Sequence, residues 1–331
     1  MKIAIITDTH WGVRNDNVAF LDNSKQFLDN IFFPTIEKMG IDTVLHLGDL
    51  VDRRKYININ TANRLRVDFL DKMIGYDVHI IAGNHDTYFK NTNEINSIRE
   101  LVDEKYDFKI YDKHAEEVIF DGTPILFIPW ICDNNRQRTL EVMNKTKATI
   151  AMGHLEIQGF EMYRGSIVSH GDDRSLFDRF DMVLSGHYHH RSSDGTIFYL
   201  GSHGEFTWSD YDDPKGFHVL DTQTLELTFI KNPYRMFEKM WYDDSDGKDP
   251  MNIDFGVVSN KFAKLIITNK TNPYTFDRFV ANLESNGVLD LQIVEDHLNL
   301  AMDDDNDIVN EAESTLSIFK KHIDQISIEN L

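Results

Sequence analysis

Short apolar runs recur along the first 230 residues, and five of them end in a cluster of histidine, aspartate or asparagine. Apolar runs of this length, bounded by glycine and polar residues, are typical of buried strands. Because α/β proteins bind ligands at the carboxyl ends of such strands, the five clusters are predicted to meet in one cleft. The runs read IAIITDTH, TVLHLGDLVD, VHIIAGNHD, TIAMGHLE and MVLSGHYHH.

The order of the elements predicts a layered α/β fold. Strand and helix patterns alternate at first, with apolar residues at helical spacing over 17–39 and 58–74, and strand patterns then dominate up to about residue 230. Two sheets packed face to face, with helices outside, would bury all of these strands. We therefore expect a two-sheet β-sandwich flanked by helices.

The chain is predicted to contain two domains and a terminal helix. Residues 1–240 would form the main domain, and the acidic, turn-rich stretch YDDSDGKDP would be a linker. Residues 251–298 read as a small β-α-β domain that caps or flanks the first one, with Asn272 as the N-cap of its helix. Apolar residues in 303–331 alternate by three and four, so this helix either packs on its own domain or docks on another chain.

The composition narrows the cellular compartments in which the protein could work. A single cysteine among 331 residues excludes an intramolecular disulfide framework and fits a reducing compartment. The first residues lack the basic and apolar regions of a signal peptide, and no apolar run is long enough to span a membrane. We therefore expect a cytoplasmic protein, in the host cytoplasm if the chain is viral.

The formal charge of −21 argues against a protein that coats nucleic acid. Any nucleic acid would have to bind at a local patch of positive charge. Basic residues do cluster beside the second of the five runs. As a group they are candidates for phosphate contacts, although each alone is also typical of a solvated helix face. The group consists of Arg53, Arg54, Lys55, Arg64 and Arg66, and the candidate DNA contacts are its first three members together with Arg14.

The ligand types at the strand ends indicate a metal site. Carboxylates, imidazoles and one amide, without a thiolate, suit manganese, iron or zinc. Seven such side chains are too many for one ion, whose coordination is full at four to six ligands, whereas two ions that share a bridging carboxylate would use them all. The central position of Asp49 makes it the best candidate for the bridge.

The ordered set D-x-H, G-D-x-x-D, G-N-H-D, G-H and G-H-x-H resembles the five motifs of the calcineurin-like metallophosphoesterases. Within that superfamily the chain resembles the SbcD-type nuclease subunits, the family of the meiotic recombination nuclease. The resemblance is good over residues 1 to about 232 and covers the remainder only in outline. One local departure is GSH at 201–203, where many family members have GSP.

The resemblance implies a role for each residue of the site. His85 would bind no metal and would assist cleavage, with Asp86 orienting and charging its imidazole, and Asp52 would be an acid beside the ligands. His170, His190 and His203 lie near the ligand tracts, and their roles stay open. The resemblance assigns one Mn²⁺ to Asp8, His10, Asp49 and His189, and a second to Asp49, Asn84, His154 and His187, with Mg²⁺ as a substitute.

The implied function is the nuclease subunit of an SbcCD-like recombination and repair complex, with 3′ to 5′ exonuclease activity on duplex DNA and endonuclease activity on single strands. Its expected partner is an SbcC-type ABC ATPase with a long coiled coil, docked through the helix within 303–331. A homodimer within a heterotetramer is also expected, with contacts from 58–74 and 91–104. The alternatives are a phosphomonoesterase or protein phosphatase of the same superfamily, which GDLVDR favours, and a non-catalytic regulatory subunit.

Overall fold

The computed structural model describes residues 1–245 and 247–295, which form two compact units. The large unit contains Met1–Phe206 and Asp212–Arg235, and the small unit contains Thr207–Tyr211 and the described residues from Met236 onward. The helix predicted within 303–331 lies outside the described residues. None of the helices in the described ranges is long and apolar enough to cross a membrane.

The first sheet of the large unit has six strands in the order β14-β13-β1-β2-β3-β4. Strands β1 to β4 run parallel, and β13 is antiparallel to both of its neighbours. Because β1, β2 and β3 are parallel, the loops after them emerge at the same edge. The strands are β1 (Lys2–Ile6), β2 (Thr43–His46), β3 (Asp77–Ile81), β4 (Lys109–Tyr111), β13 (Gly216–Asp221) and β14 (Leu227–Lys231).

The second sheet also has six strands, in the order β11-β12-β10-β7-β6-β5. Its central strands β6, β7, β10 and β12 are parallel, so the loops after β7 and β10 also share one edge. A separate hairpin pairs β8 with β9. The strands are β5 (Glu116–Phe120), β6 (Thr123–Ile128), β7 (Ile150–His154), β8 (Glu161–Tyr163), β9 (Ser166–Ile167), β10 (Met182–Gly186), β11 (Ser192–Ser193) and β12 (Ile197–Tyr199).

The large unit has helices in both predicted helical stretches, and three further α-helices lie outside them. The first stretch begins where the Asn17 side chain accepts a hydrogen bond from the amide of Ala19, and it ends at Gly40, which has a φ of 63°. Both stretches contain a π-helical turn, which apolar spacing alone does not predict. The α-helices are α1 (Val13–Asp16), α2 (Val18–Phe27), α3 (Phe33–Met39), α4 (Ile59–Arg64), α5 (Ser97–Leu101) and α6 (Arg136–Lys145). The π-helical turns are Leu28–Phe32 and Leu65–Leu70. The 3₁₀ turns are Asp71–Met73, Glu104–Tyr106 and Arg174–Phe177.

Three apolar cores hold the large unit together. A middle core, which includes Ile5, Leu45 and Leu184, is built from the facing sides of the two sheets. Another core packs the first sheet against its helices, and a third lies on the outer side of the second sheet. The predicted two-sheet sandwich with helices outside is therefore confirmed.

Up to residue 295, the small unit consists of a parallel three-stranded sheet and one α-helix. The Asn272 side chain accepts hydrogen bonds from the amides of Tyr274 and Thr275, which is the predicted N-cap. The helix packs Phe279 and Leu283 against the sheet. The elements are β15 (Phe237–Asp243), β16 (Phe262–Asn269), β17 (Asp290–Val294), α7 (Pro273–Ser285) and the 3₁₀ turns Trp208–Asp210 and Phe255–Val258.

Candidate metal centre

The seven predicted ligands converge from five strand ends of the large unit. Their donor atoms fall into two groups, one around His10 and His189 and one around His154 and His187, with Asp49 next to both. The parallel strands explain this convergence, because their carboxyl ends lie at shared edges of the two packed sheets. Asp8 and His10 follow β1, Asp49 follows β2, Asn84 follows β3, His154 ends β7, and His187 and His189 follow β10.

The first group contains Asp8, His10 and His189. The Nε2 atoms of His10 and His189 lie 3.0 Å apart. Oδ1 of Asp8 lies 3.9 Å from Nε2 of His10 and 4.0 Å from Nε2 of His189. Asp8 and His10 are buried, and His189 is partly exposed, so a bound cation would be open to the cleft on one side.

The second group contains Asn84, His154 and His187. Oδ1 of Asn84 lies 3.0 Å from Nε2 of His154 and 2.9 Å from Nδ1 of His187. The other ring nitrogen of His154, Nδ1, lies 2.8 Å from the carbonyl oxygen of Leu47. If Nδ1 carries the ring proton, its N–H donates a hydrogen bond to that carbonyl. The Nε2 atom then has a free lone pair, which faces the Asn84 oxygen and can bind a metal ion.

Asp49 lies between the two groups. Its Oδ2 atom is 3.2 Å from Nε2 of His154 and 3.7 Å from Nε2 of His10. Its Oδ1 atom accepts a hydrogen bond from the amide of His85 at 2.7 Å. Burial alone would raise the pKa of Asp49, but the neighbouring histidines, with His154 first, hold it well below its usual range. The carboxylate is therefore ionised and oriented as a bridge between two cations would be.

The donor set fits divalent cations. Without a cation or an added proton, the oxygen of Asn84 and the neutral Nε2 of His154 would face each other with lone pairs at 3.0 Å. The protein itself favours positive charge here: burial lowers the pKa of His154, but the charge of Asp49 outweighs it and raises the pKa to about 9. A metal ion supplies that charge and satisfies the lone pairs together.

His85 joins neither of these two groups, but its donor atom lies within 4.8 Å of donor atoms of His10 and Asp52. Its Nδ1 atom is 2.5 Å from the carbonyl oxygen of Asp52, which leaves Nε2 as the nitrogen that can act on a substrate. Its ring contacts that of His10 edge to face, with 4.8 Å between centroids. The carboxylate of Asp52 lies 3.6 Å from Nδ1 of His10, so Asp52 is next to a ligand, on the side away from the first group.

Asp86 has different partners from the one predicted for it. Its carboxylate is buried and accepts hydrogen bonds from the amides of Gly83, Asp49 and Leu50 at 2.8 to 2.9 Å. The orientation of His85 instead comes from the carbonyl of Asp52. The structure therefore corrects the prediction that Asp86 orients His85: Asp86 fixes the backbone of two ligand-bearing loops to each other.

The backbone at several ligands is in the left-handed region. The φ angles are 51° at Asp8, 41° at His10, 55° at Asp49 and 88° at His187. Non-glycine residues adopt this region at a cost, and asparagine, aspartate and histidine tolerate it better than most. The local fold therefore restricts the residue types at these positions independently of metal binding.

Close packing explains two glycines of the motifs. A Cβ atom at Gly83 would lie 2.2 Å from Oδ1 of Asp49, and one at Gly48 would lie 2.4 Å from Nδ1 of His154. Both distances are far below van der Waals contact. Glycine is required at these positions because the ligands occupy the space where a side chain would be.

The candidate DNA contacts differ in their surroundings. Arg53 is held by Asp16 at 2.6 Å and by Asn15 at 3.0 Å, and Nε of Arg14 donates to the carbonyl of Phe206. Lys55 is exposed. The Nη1 atom of Arg54 is buried and has no hydrogen-bond partner within residues 1–245 and 247–295.

The three histidines whose roles the sequence left open lie in different surroundings. His170 is exposed, with Nε2 3.3 Å from Glu156, whereas His203 is buried and contacts Ser24 at 3.0 Å. His190 bonds through Nδ1 to Asp213 at 3.0 Å. None of the three belongs to either ligand group in the described residues.

Sequence reasoning missed Glu156 and Trp130, which both border the second group. Oε1 of Glu156 lies 3.7 Å from Nε2 of His187. The rings of Trp130 and His187 are 5.2 Å apart between centroids. Trp130 ends the predicted strand PILFIPW, and Glu156 comes two residues after the candidate ligand His154; these positions were the only available signals.

A known family and several named proteins match this chain over most of its length. The family of calcineurin-like phosphoesterases matches residues 1–191. Exonuclease subunit 1 of Enterobacteria phage T4 is 32% identical over 332 residues, which is 98% of this chain and 93% of that protein. The D subunit of nuclease SbcCD from Staphylococcus saprophyticus is 25% identical over 72% of this chain and 71% of that protein, and its namesake from Staphylococcus epidermidis is 26% identical over 74% of each.

Proposed function

The chain belongs to the calcineurin-like phosphoesterase family, and from this premise we propose that it is the metal-dependent nuclease subunit of a DNA-processing complex. Members of the family hydrolyse phosphoesters. The main support is the arrangement of two ligand groups around Asp49 with His85 beside them. A site that only stabilised the fold would have no use for a histidine in that position.

We assign one cation to Asp8, His10, Asp49 and His189, and the other to Asp49, Asn84, His154 and His187. The oxygen and nitrogen donors suit manganese, iron or zinc, and by analogy with the SbcD-type family we propose Mn²⁺, with Mg²⁺ as a substitute. Bound there, a pair of divalent cations would neutralise charge on the phosphate and make water a stronger nucleophile. Four of the seven donor residues are buried, namely Asp8, His10, Asp49 and His154, so these donors need little reorganisation when the substrate arrives.

His85 is the proposed proton donor. Its Nδ1 atom is held by the carbonyl of Asp52 at 2.5 Å, so its ring is fixed and Nε2 is directed elsewhere. A proton on Nε2 could pass to the oxygen that leaves when the phosphodiester breaks, or stabilise charge on the phosphate in the transition state. Asp86 supports this role indirectly, through the loop that carries both Asn84 and His85.

DNA is the proposed substrate because the related proteins are named as an exonuclease subunit and as nuclease subunits. By analogy with the SbcD-type family we propose 3′ to 5′ exonuclease action on duplex ends and endonuclease action on single strands. Among the four candidate DNA contacts we favour Arg54, because its Nη1 atom has no hydrogen-bond partner in the described residues, whereas Arg53 is already paired with Asp16. Arg14 and Lys55 are proposed as weaker contacts.

The proposed partner is an SbcC-type ABC ATPase. The relatives are subunits by name, and a chain with a net charge of −21 would gain from a partner that helps to hold DNA. We propose that the segment 303–331 docks on that ATPase, that the small unit flanks the DNA, and that the chain dimerises through 58–74 and 91–104. Loss of co-purification on truncation at residue 300 would support the docking.

The nuclease proposal is tested with the purified chain, Mn²⁺ or Mg²⁺, end-labelled duplex DNA and a single-stranded circle. We expect shortening of the duplex from its 3′ ends and opening of the circle. His85→Gln should lower kcat by about 10²- to 10⁴-fold, the usual loss for an acid-base residue. His114→Gln, which changes a histidine outside both ligand groups, should stay within about twofold of the parent.

Two results would favour the alternatives. Hydrolysis of a phosphopeptide without hydrolysis of any DNA would identify a protein phosphatase. Binding of two cations without turnover of either substrate would identify a regulatory subunit. Equal activity of the His85→Gln variant and the parent would remove His85 from the mechanism.

A further inference from the structure

A cavity of about 230 Å³ opens beside the second ligand group of the large unit. Its lining includes Trp130, Arg136, Glu156 and Asp172, together with the candidate ligand His154. Pockets for drug-sized molecules usually measure roughly 300 to 1,000 Å³. The cavity is therefore of a size for one small group, such as a single nucleobase with part of its sugar, and not for a base pair.

The position of the cavity ties it to the reacting phosphate. The Nε2 atom of His154, which lines the cavity, lies 3.2 Å from Oδ2 of Asp49. The Trp130 ring lies 5.2 Å from that of His187 and 6.2 Å from that of His154. A phosphodiester held at these ligands would place one of its two flanking nucleosides in the cavity.

The backbone of Trp130 is held rigidly. Its amide donates to the carbonyl of Ala82 at 2.8 Å. Its carbonyl accepts from the side chains of Asn93 at 2.8 Å and Asn135 at 2.9 Å, and both asparagines are buried. These three hydrogen bonds fix the backbone of Trp130 at the edge of the site, and its indole is partly exposed, so part of the ring is left for a ligand to stack on.

The charges around the cavity argue against a second phosphate as its occupant. Glu156 and Asp172 bring two carboxylates and Arg136 brings one guanidinium, which is already paired with Asp172 at 2.5 Å. This balance repels an anion and still offers donors and acceptors to the edge of a base. An uncharged aromatic group is the ligand that fits both the indole and the acidic wall.

We propose that this cavity, here called the Trp130 cavity, binds one unpaired nucleobase next to the scissile phosphate by stacking on the indole. The proposal rests on the proposed nuclease function. Since every base has a π face, binding of this kind tolerates any sequence. Because a paired base cannot enter so small a space, the terminal base of a duplex would have to leave its partner before cleavage.

The test uses a short single strand in which only one phosphodiester can be cleaved, the others being methylphosphonates. Three versions are compared: an intact strand, and strands with an abasic analogue on one or the other side of the cleavable bond. For the parent chain we expect one abasic position, and not the other, to lower kcat/KM by about 5- to 150-fold, the range for loss of one stacked base.

Trp130→Ala should abolish this discrimination, so that intact and abasic strands are cleaved at nearly the same kcat/KM. Trp130→Phe should restore most of it, because the phenyl ring also stacks. Trp241→Ala, which removes an exposed tryptophan of the small unit, is the matched control and should keep the discrimination of the parent. If Trp130→Ala slowed intact and abasic strands equally, the residue would be structural and the proposal would be wrong.

A second measurement does not depend on catalysis. In the presence of a chelator, deoxyadenosine should quench the tryptophan fluorescence of the parent and not that of Trp130→Phe, while inorganic phosphate should quench neither. Absence of quenching by deoxyadenosine, together with equal cleavage of all three strands, would overturn the cavity assignment. Quenching by deoxyadenosine in a chain that cleaved no DNA would instead retain the cavity and reject the nuclease.

Discussion

Lys215 donates from its buried ammonium group to the carbonyl oxygen of His189, 2.7 Å away. The same ammonium lies 2.9 Å from the carboxylate of Asp213, which also bonds to His190. A buried ion pair thus fixes the backbone of a candidate ligand, and His190 contributes to that support. His189 is positioned by partners 24 to 26 residues later in the chain.

We predict that Lys215→Met lowers the free energy of unfolding by about 3 kcal/mol, because it leaves the buried carboxylate of Asp213 without its cation. Urea denaturation measures the change. Lys231→Met removes an exposed lysine and should change stability by less than about 0.5 kcal/mol. Equal stability of the two variants would mean that the ion pair adds nothing to the fold.

The shared position of Asp49 predicts how metal content responds to substitution. After equilibration with Mn²⁺ and gel filtration, elemental analysis should find two ions per parent chain. His189→Ala should retain one ion, because only the first group loses a donor. Asp49→Ala should retain neither at micromolar Mn²⁺, because its carboxylate adjoins both groups. One tightly held ion in Asp49→Ala would show that the carboxylate serves a single site.

Asp86 and His85 should have separable effects. Asp86→Asn places an amide group against backbone N–H donors and should lower the free energy of unfolding by about 2 to 3 kcal/mol. His85→Gln should leave stability nearly unchanged and reduce cleavage. Urea denaturation and the DNA assay on both variants check this. A stable but inactive Asp86→Asn would restore the predicted link between Asp86 and His85.

His218 should make the fold sensitive to mild acid. Burial lowers the pKa of His218 to about 3, whereas an unfolded histidine titrates near 6.5. Above pH 6.5 neither state binds the proton. Below pH 6.5 the unfolded chain binds a proton at His218 and the folded chain does not. The free energy of unfolding should therefore fall by about 2 kcal/mol between pH 6.5 and pH 5 because of His218.

The comparison with His218→Phe isolates this effect. Burial also lowers the pKa of His46 to about 3 and that of His203 to about 4, so the parent chain should lose more than the contribution of one histidine. The variant should lose about 2 kcal/mol less over the same interval, measured by urea denaturation at both pH values. An identical pH dependence of parent and variant would show that His218 is protonated in the folded state.

The sandwich and the convergence of ligands could be predicted because both depend on local pattern. Apolar runs identify the strands, and parallel strands bring the residues at their carboxyl ends to a common edge. The partner of Asp86 could not be predicted, because its hydrogen bonds to the Asp49 loop cross 35 to 37 residues of chain. The placement of the Trp130 backbone likewise depends on two residues that are distant in sequence, Asn93 and Ala82.

The left-handed backbone at Asp8, His10, Asp49 and His187 has a consequence for laboratory evolution. At these positions a β-branched residue would be rejected by the backbone before any question of catalysis arises. A library randomised there and selected only for a folded chain should therefore return asparagine, glycine and the parent residues. Enrichment of ligand-like residues in such a selection would then be caused by backbone geometry and not by enzymatic activity.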